Sequence, residues 1–101
     1  MVIIAQKIIN EFAVKYPLSA EPLNRWHKGA KSSDWQNFMD VKKTFNTADY
    51  IGNDRYVFDI GGNKYRIVAM IHFRQRTIYI RFIGTHAQYD EISKNGLIKN
   101  I

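Results

Sequence analysis

The chain has 101 residues, with 15 Lys and Arg against 9 Asp and Glu, and it contains no cysteine. Its length allows one modest hydrophobic core, so residues 1–101 are predicted to form a single domain, and the missing thiols exclude disulfides, thiolate zinc sites and cysteine nucleophiles. A formal charge of +6 and a pI of about 9.7 indicate a polyanionic partner, although a solvated basic surface or an acidic protein partner would give the same totals.

The N-terminal residues have the pattern of a short strand followed by a helix. Val2 to Ile4 are predicted to form the strand, and apolar residues then recur at helical intervals until Pro17 ends the helix. The apolar stretch before Gln6 is too short for a signal peptide or a membrane span. We therefore expect a cytoplasmic protein that does not insert into a membrane.

Two more helices are predicted before the middle of the chain. One begins with Ser19 as its N-cap and carries Trp26 in an apolar stripe. Ser33 and Gln36 fit a capping box that starts a third, short helix, with Trp35 close to its first turn. Because both tryptophans fall in apolar helical patterns, we interpret them as core residues and not as platforms for base stacking.

The second half of the chain has the composition of β-strands. Residues 56–60, 64–73 and 76–83 are rich in β-branched and aromatic residues, and the turn at 61–63 contains two glycines. This order predicts an α+β fold, with the N-terminal helices packed on one face of a small, mainly antiparallel sheet. Residues 95–101 are predicted to be either a loose end or a segment that docks on the domain.

Alternation along the last two strands divides their side chains between the two sheet faces. The side chains assigned to the core face are Tyr65, Ile67, Ala69, Ile71 and Phe73 on one strand and Ile78, Ile80 and Phe82 on the next. Arg66 and Arg81 are then expected on the opposite, open face, where two guanidiniums suit bidentate contacts with phosphate. Lys64 at the strand entrance adds a third cation. The alternative is that each arginine pairs with a carboxylate on a neighbouring strand, such as Asp59.

The predicted RNA-binding surface extends beyond these three cations. Arg74 and Arg76 lie at the turn between the two strands, and both are assigned to RNA binding together with Lys64. Asp90, in the segment after the last strand, is assigned to the same surface.

The segment after the last strand carries the side chains best suited to proton transfer. Histidine is the side chain best suited to exchange a proton at physiological pH, and tyrosine offers a phenolic donor, so His86 and Tyr89 are predicted to be catalytic together with Arg66 and Arg81. His27 and His72 are interpreted as structural residues. The scattered histidines form no metal-ligand pattern, and neither a serine nucleophile elbow nor a glycine-rich nucleotide loop is present, so no metal or other cofactor is predicted.

Several motifs together closely resemble the HigB family of type II toxins, within the RelE-like superfamily. They are the stretch from Tyr56 to Arg66, Tyr79 to Arg81, Thr85 to Asp90, and upstream Asp34-Trp35, Phe38, Asp40, Lys42, Phe45 and Ala48-Asp49. Asp59 departs from the pattern, in which Asn is more usual. The family's basic sheet positions correspond to Lys64, Arg66 and Arg81, and its C-terminal catalytic segment corresponds to His86, Tyr89 and Asp90.

The resemblance implies a ribosome-dependent mRNA interferase, inhibited by a helix-turn-helix antitoxin of the HigA type that also represses their shared operon. Operator DNA would then be contacted only indirectly, through the antitoxin complex. In such an enzyme the RNA's own 2′-hydroxyl attacks the adjacent phosphate, while Arg66 and Arg81 stabilise charge and His86 or Tyr89 moves a proton.

Two other functions fit the same basic surface. A non-catalytic module could bind RNA or the ribosome and block translation by occupancy, leaving RNA intact. A DNA-binding regulator is less favoured, because no helix-turn-helix is evident and the cations lie mainly on strands.

Overall fold

A five-stranded sheet in the order β1-β5-β4-β3-β2 organises the computed structural model, which describes residues 1–101. The strands are β1 (Val2–Ile4), β2 (Asp49–Gly52), β3 (Arg55–Ile60), β4 (Tyr65–His72) and β5 (Thr77–Thr85). The helices are α1 (Gln6–Lys15), α2 (Ala20–Ser32), α3 (Phe38–Thr44) and α4 (His86–Lys94), with short 3₁₀ turns at Pro17–Ser19 and Leu97–Lys99. The predicted α+β class is confirmed. None of these helices is long and apolar enough to cross a membrane.

The sheet is antiparallel except at one edge. β1 pairs with β5 in parallel, whereas β2, β3, β4 and β5 pair successively in antiparallel. The predicted β3–β4 hairpin is confirmed, and its turn uses positive φ angles at Gly61 and Gly62 that favour glycine. β2 was not predicted, because it is only four residues long and includes Asp49 and Gly52, which have low strand propensity. It forms through its pairing with the edge of β3.

The helix starts differ from the predicted caps. Ser19 occupies the predicted N-cap position of α2, but its hydroxyl donates to Tyr16 O at 2.6 Å and forms no capping hydrogen bond with the helix. The predicted capping box of Ser33 and Gln36 is wrong, because the hydroxyl of Ser33 donates back to the end of α2. Asn37 caps α3 instead, accepting a hydrogen bond from the backbone of Asp40 at 3.1 Å. Short polar side chains compete for the same backbone groups, and tertiary packing determines which of them caps the helix.

The first face of the sheet carries the main core. Sixteen buried residues form one cluster between this face and the helices. Trp26 and Trp35 are each only 2% exposed, and both pack against the rings of Phe45 and Phe58, which confirms their interpretation as core residues. The predicted apolar stripe of β4 lies in this cluster as well.

The second face of the sheet is partly covered, contrary to the expectation of an open face. Val57, Val68 and Ile98 form a small second core, against which α4 packs Tyr89 and Ile92. The C-terminal segment docks here: the side chain of Asn53 donates to Lys99 O at 2.9 Å, and Arg55 donates to Ile101 O at 2.7 Å. Of the two alternatives for residues 95–101, docking is therefore correct.

A β-bulge changes the alternation along β5. Val68 pairs with Phe82 and Ala69 pairs with Ile80, so Arg81 has no partner residue on β4. As a result Phe82 packs against the second core and not the first, which corrects its predicted assignment.

Candidate active site

The candidate site lies where the β3–β4 turn, the end of β5 and the start of α4 meet. Arg66 is opposite Asp59 on β3 and opposite Gly84 on β5. The backbone N–H of His86 donates to Lys64 O at 2.9 Å, which fixes the first residue of α4 to the turn. These pairings bring Lys64 and Arg66 close to the catalytic segment, although about twenty residues of the chain lie between them.

Arg66 is held by contacts on three sides. Its Nε lies 3.2 Å from Asp59 Oδ1, its Nη1 donates to Tyr65 O at 3.3 Å, and its Nη2 donates to the side chain of Asn63. The residue is only 9% exposed. The expectation of an unpaired arginine on an open face was wrong: Asp59 is its cross-strand partner, as the alternative interpretation held. The guanidinium nevertheless has more N–H groups than these contacts use, so it retains donors for a phosphate.

Tyr89 lies under this guanidinium. The Cζ atom of Arg66 is 5.8 Å from the centroid of the Tyr89 ring, within the range of a cation–π contact. The ring also packs on the second core. Burial raises the pKa of the Tyr89 hydroxyl above its ordinary value, and the charge of Arg66 opposes this without cancelling it. The phenol therefore stays protonated near neutral pH and can donate a hydrogen bond.

His86 is paired with a carboxylate one helical turn away. Its Nδ1 lies 2.8 Å from Asp90 Oδ2, and the two side chains are 42% and 59% exposed. Residues four apart on a helix share one face, so α4 itself creates this contact. Because both groups are accessible to solvent, the pair contributes little to stability, and the imidazole can reach a bound substrate.

A capping box holds the start of α4 in place. Thr85 Oγ1 accepts a hydrogen bond from the backbone of Gln88 at 3.2 Å, and Gln88 Oε1 accepts one from the backbone of Thr85 at 2.9 Å. This box was not predicted, although the Thr-x-x-Gln pattern is typical of one. Asn63 and Gly84 were also overlooked. Asn63 orients Arg66, and Gly84 is buried under the Phe82 ring, where a Cβ atom would also approach Gln88 Oε1 to 2.9 Å.

The other predicted arginines lie outside this cluster. Arg81 is exposed at the bulge, farther along β5. Arg74 and Arg76 are at the opposite end of the hairpin, about 25 Å from Arg66 by the rise of an extended strand. Arg74 is exposed, whereas Arg76 forms an ion pair with Asp34. The structure thus groups Lys64, Arg66, His86, Tyr89 and Asp90, and separates Arg74 and Arg76 from them.

The remaining histidines have other surroundings. His72 Nδ1 lies 2.8 Å from Gln75 Oε1, and burial followed by the charge of Lys31 lowers the pKa of His27. Nowhere do three His, Asp or Glu side chains converge as metal ligands do. At the candidate site a fixed guanidinium, a protonated phenol and an imidazole can together bind a phosphate, stabilise added negative charge and move a proton.

Comparison with known proteins identifies the family to which the chain belongs. Residues 19–92 match the HigB toxin family, described as the RelE-like toxic component of a toxin-antitoxin system. The chain is 31% identical to the mRNA interferase HigB of Escherichia coli O6:H1, over 93% of each chain. It is 33% identical to the mRNA interferase toxin HigB of Escherichia coli K12, over 89% of this chain and 88% of the relative, and equally similar to the mRNA interferase HigB of Shigella flexneri. The chain therefore belongs to the HigB family of RelE-like toxins.

Proposed function

We propose that the chain is a metal-independent endoribonuclease that cleaves mRNA on the ribosome, as the toxin of a type II toxin-antitoxin system. The observation that carries this proposal is the contact of Tyr89 with the fixed guanidinium of Arg66, on a helix whose first residue, His86, is bonded to the adjacent turn and has an accessible side chain. The relatives named mRNA interferases support the substrate class.

The reaction is an attack of the RNA 2′-hydroxyl oxygen on the adjacent phosphorus. The new O–P bond forms as the bond to the 5′ oxygen breaks, which leaves a 2′,3′-cyclic phosphate and a 5′-hydroxyl. The protein must orient the phosphate, stabilise the extra negative charge and move protons. Arg66 is suited to the charge because its contacts with Asp59 and Asn63 hold it in place before the substrate arrives. Tyr89 and His86 supply the groups for proton transfer.

The other cations would guide the RNA strand across the hairpin. Lys64 is exposed at the turn beside the site, and Arg81 is exposed at the bulge of β5. Arg81 would contact a phosphate as that RNA crosses the second face of the sheet. Arg74 and Arg76 would contact phosphates farther along the strand. Such contacts should give binding that weakens steeply as the salt concentration rises.

The proposed partners follow from family membership and net charge. The formal charge of +6 suits association with the RNA of a translating ribosome in the cytoplasm and with an acidic surface of a HigA-type helix-turn-helix antitoxin. Contact with operator DNA would be made by the antitoxin, so for this chain it would be indirect.

Primer extension on a translated message tests the proposal. Induced expression should produce new 5′ ends within the coding region, and the purified protein should produce the same ends only when the message is engaged by ribosomes. Growth arrest with intact mRNA would instead support the binding module that acts by occupancy. That second function is favoured by one observation, the neutralisation of Arg66 by Asp59.

A further inference from the structure

We propose that Asp90 is a positioning residue, which holds His86 in the tautomer protonated at Nδ1 and so leaves Nε2 free to accept the proton of the RNA 2′-hydroxyl. This inference rests on the proposed ribonuclease activity for the role of Nε2. The effect of Asp90 on the His86 tautomer does not depend on that activity.

The contact itself determines where the ring hydrogen lies. An ionised carboxylate only accepts hydrogen bonds, so the hydrogen between His86 Nδ1 and Asp90 Oδ2, 2.8 Å apart, must be carried by the imidazole. A neutral imidazole has one N–H, and placing it at Nδ1 leaves a lone pair at Nε2. The half-exposed ring can present that lone pair to a substrate.

The surroundings keep this geometry fixed. The capping box of Thr85 and Gln88 sets the first turn of α4, and the bond from the His86 backbone to Lys64 O anchors it to the β3–β4 turn. Asp90 then reaches His86 along the helix with no backbone movement. Binding RNA directly is a poorer role for Asp90, because its carboxylate would repel a phosphate. This changes its predicted assignment from RNA binding to positioning.

The neighbouring phenol suits the complementary role. Burial raises the pKa of the Tyr89 hydroxyl, so Tyr89 keeps its proton and serves as a donor to the phosphate oxygens. The free Nε2 of the His86 imidazole then remains as the proton acceptor on the same helix. His86 Nε2 takes the proton from the 2′-hydroxyl while the new O–P bond forms and the bond from phosphorus to the 5′ oxygen breaks, and the departing 5′ oxygen takes a proton from solvent water.

Nuclear magnetic resonance of the intact chain tests the tautomer without substrate. The spectra are recorded at pH about 8, where an ordinary imidazole is neutral, and the signals of His86 are assigned with a His86→Gln variant. The ¹⁵N shifts of the two His86 ring nitrogens should show that the hydrogen is on Nδ1. Asp90→Asn should shift the population toward hydrogen at Nε2. The control is Glu91→Gln, which removes the same charge from an exposed neighbour that forms no ion pair, and it should leave the tautomer unchanged. Hydrogen at Nε2 in the parent protein would overturn the proposal.

Single-turnover cleavage on programmed ribosomes tests the consequence. Asp90→Asn should lower the maximal rate about 10- to 100-fold, the scale for losing a partner that orients a functional histidine, with little change in KM. Glu91→Gln should cleave at the parent rate. If Asp90→Asn changes the tautomer and the rate is unaffected, Nε2 is not the proton acceptor and that part of the inference is wrong. If the parent chain cleaves no RNA, the proposed function fails, while the tautomer result still decides whether Asp90 positions His86.

Discussion

The two faces of the sheet bury different amounts and different kinds of surface. The first face supports sixteen clustered core residues, with three aromatic rings around Phe58, whereas the second has three buried apolar residues and borders the ion pair of Arg66 and Asp59. Burial of apolar area is the main source of folding free energy, so the first face should dominate stability. The second face can then tolerate a buried charge beside its site.

Phe58→Ala should cause the largest change, because it removes a ring that is 1% exposed and packs against Trp26, Trp35 and Phe45. We expect a loss of about 3–5 kcal/mol in the free energy of unfolding, by urea denaturation. Met39→Ala, at a position 67% exposed, is the matched control and should change little. If Val68→Ala in the second core costs as much as Phe58→Ala, the contrast between the faces does not hold.

Arg66→Lys should abolish most activity with a smaller effect on folding. Lysine keeps the charge but cannot satisfy Asp59 and Asn63 and still offer a planar pair of donors to phosphate. The single-turnover rate should fall about 10²-fold or more, the scale for one lost preorganised donor. Arg81→Lys, at the exposed bulge, is predicted to show a similar defect if Arg81 also stabilises the transition state. Rescue of either variant by lower salt or higher protein concentration would instead indicate a binding role.

Gly84→Ala should disturb the second face where it meets α4. The added methyl group would collide with the Phe82 ring and lie 2.9 Å from Gln88 Oε1, which closes the capping box. Overpacking of this kind costs about 1–3 kcal/mol in the free energy of unfolding. Thermal unfolding measures it, and Gly62→Ala serves for comparison because no atom lies near its Cβ position, although its positive φ adds some strain. Equal stability of Gly84→Ala and the parent would show that Phe82 moves freely.

Tyr89→Phe should separate the packing of the tyrosine ring from the hydrogen bond that its hydroxyl donates. The ring and its contacts with Arg66 and the second core remain, so the circular dichroism spectrum and stability should be near those of the parent. Loss of one neutral hydrogen-bond donor should lower the cleavage rate up to about 10-fold. Growth arrest as fast as the parent's at equal protein abundance would remove Tyr89 from the mechanism, and His86→Ala should be more severe in the same assay.

Chelation should have the smallest effect. With a ribosome-free substrate, or with ribosomes kept intact by a method that does not depend on free Mg²⁺, cleavage should persist in excess EDTA, because the reaction uses the chain's own charged groups. Activity that disappears and returns specifically with zinc or manganese would contradict the metal-independent mechanism.

The strength of a sequence prediction here depends on the range of the interaction it describes. The burial of Trp26 and the inward side of β4 follow from local periodicity, and the structure agrees with both. The pairing of Arg66 with Asp59 depends on the register of two strands. Alternation alone therefore left open whether Arg66 pairs with Asp59 or is unpaired on the open face. The bulge at Arg81 cannot be predicted from the sequence of β5 alone. It arises because β5 has one more residue than β4 between two neighbouring pairs of the ladder.

The sequence by itself determined the α+β class, the main hairpin, the core stripe and the group of residue types from which a ribonuclease site can be built. These depend on side-chain spacing and turn chemistry, which act over a few neighbouring residues. The tertiary structure decided that α4 and the C-terminal segment cover the second face, that Arg66 is held by Asp59 and Asn63, and that His86 meets Asp90 beside them. Those contacts join segments far apart in the chain, or depend on where α4 starts, so they are selected by the free energy of the whole packed domain and not by any local pattern.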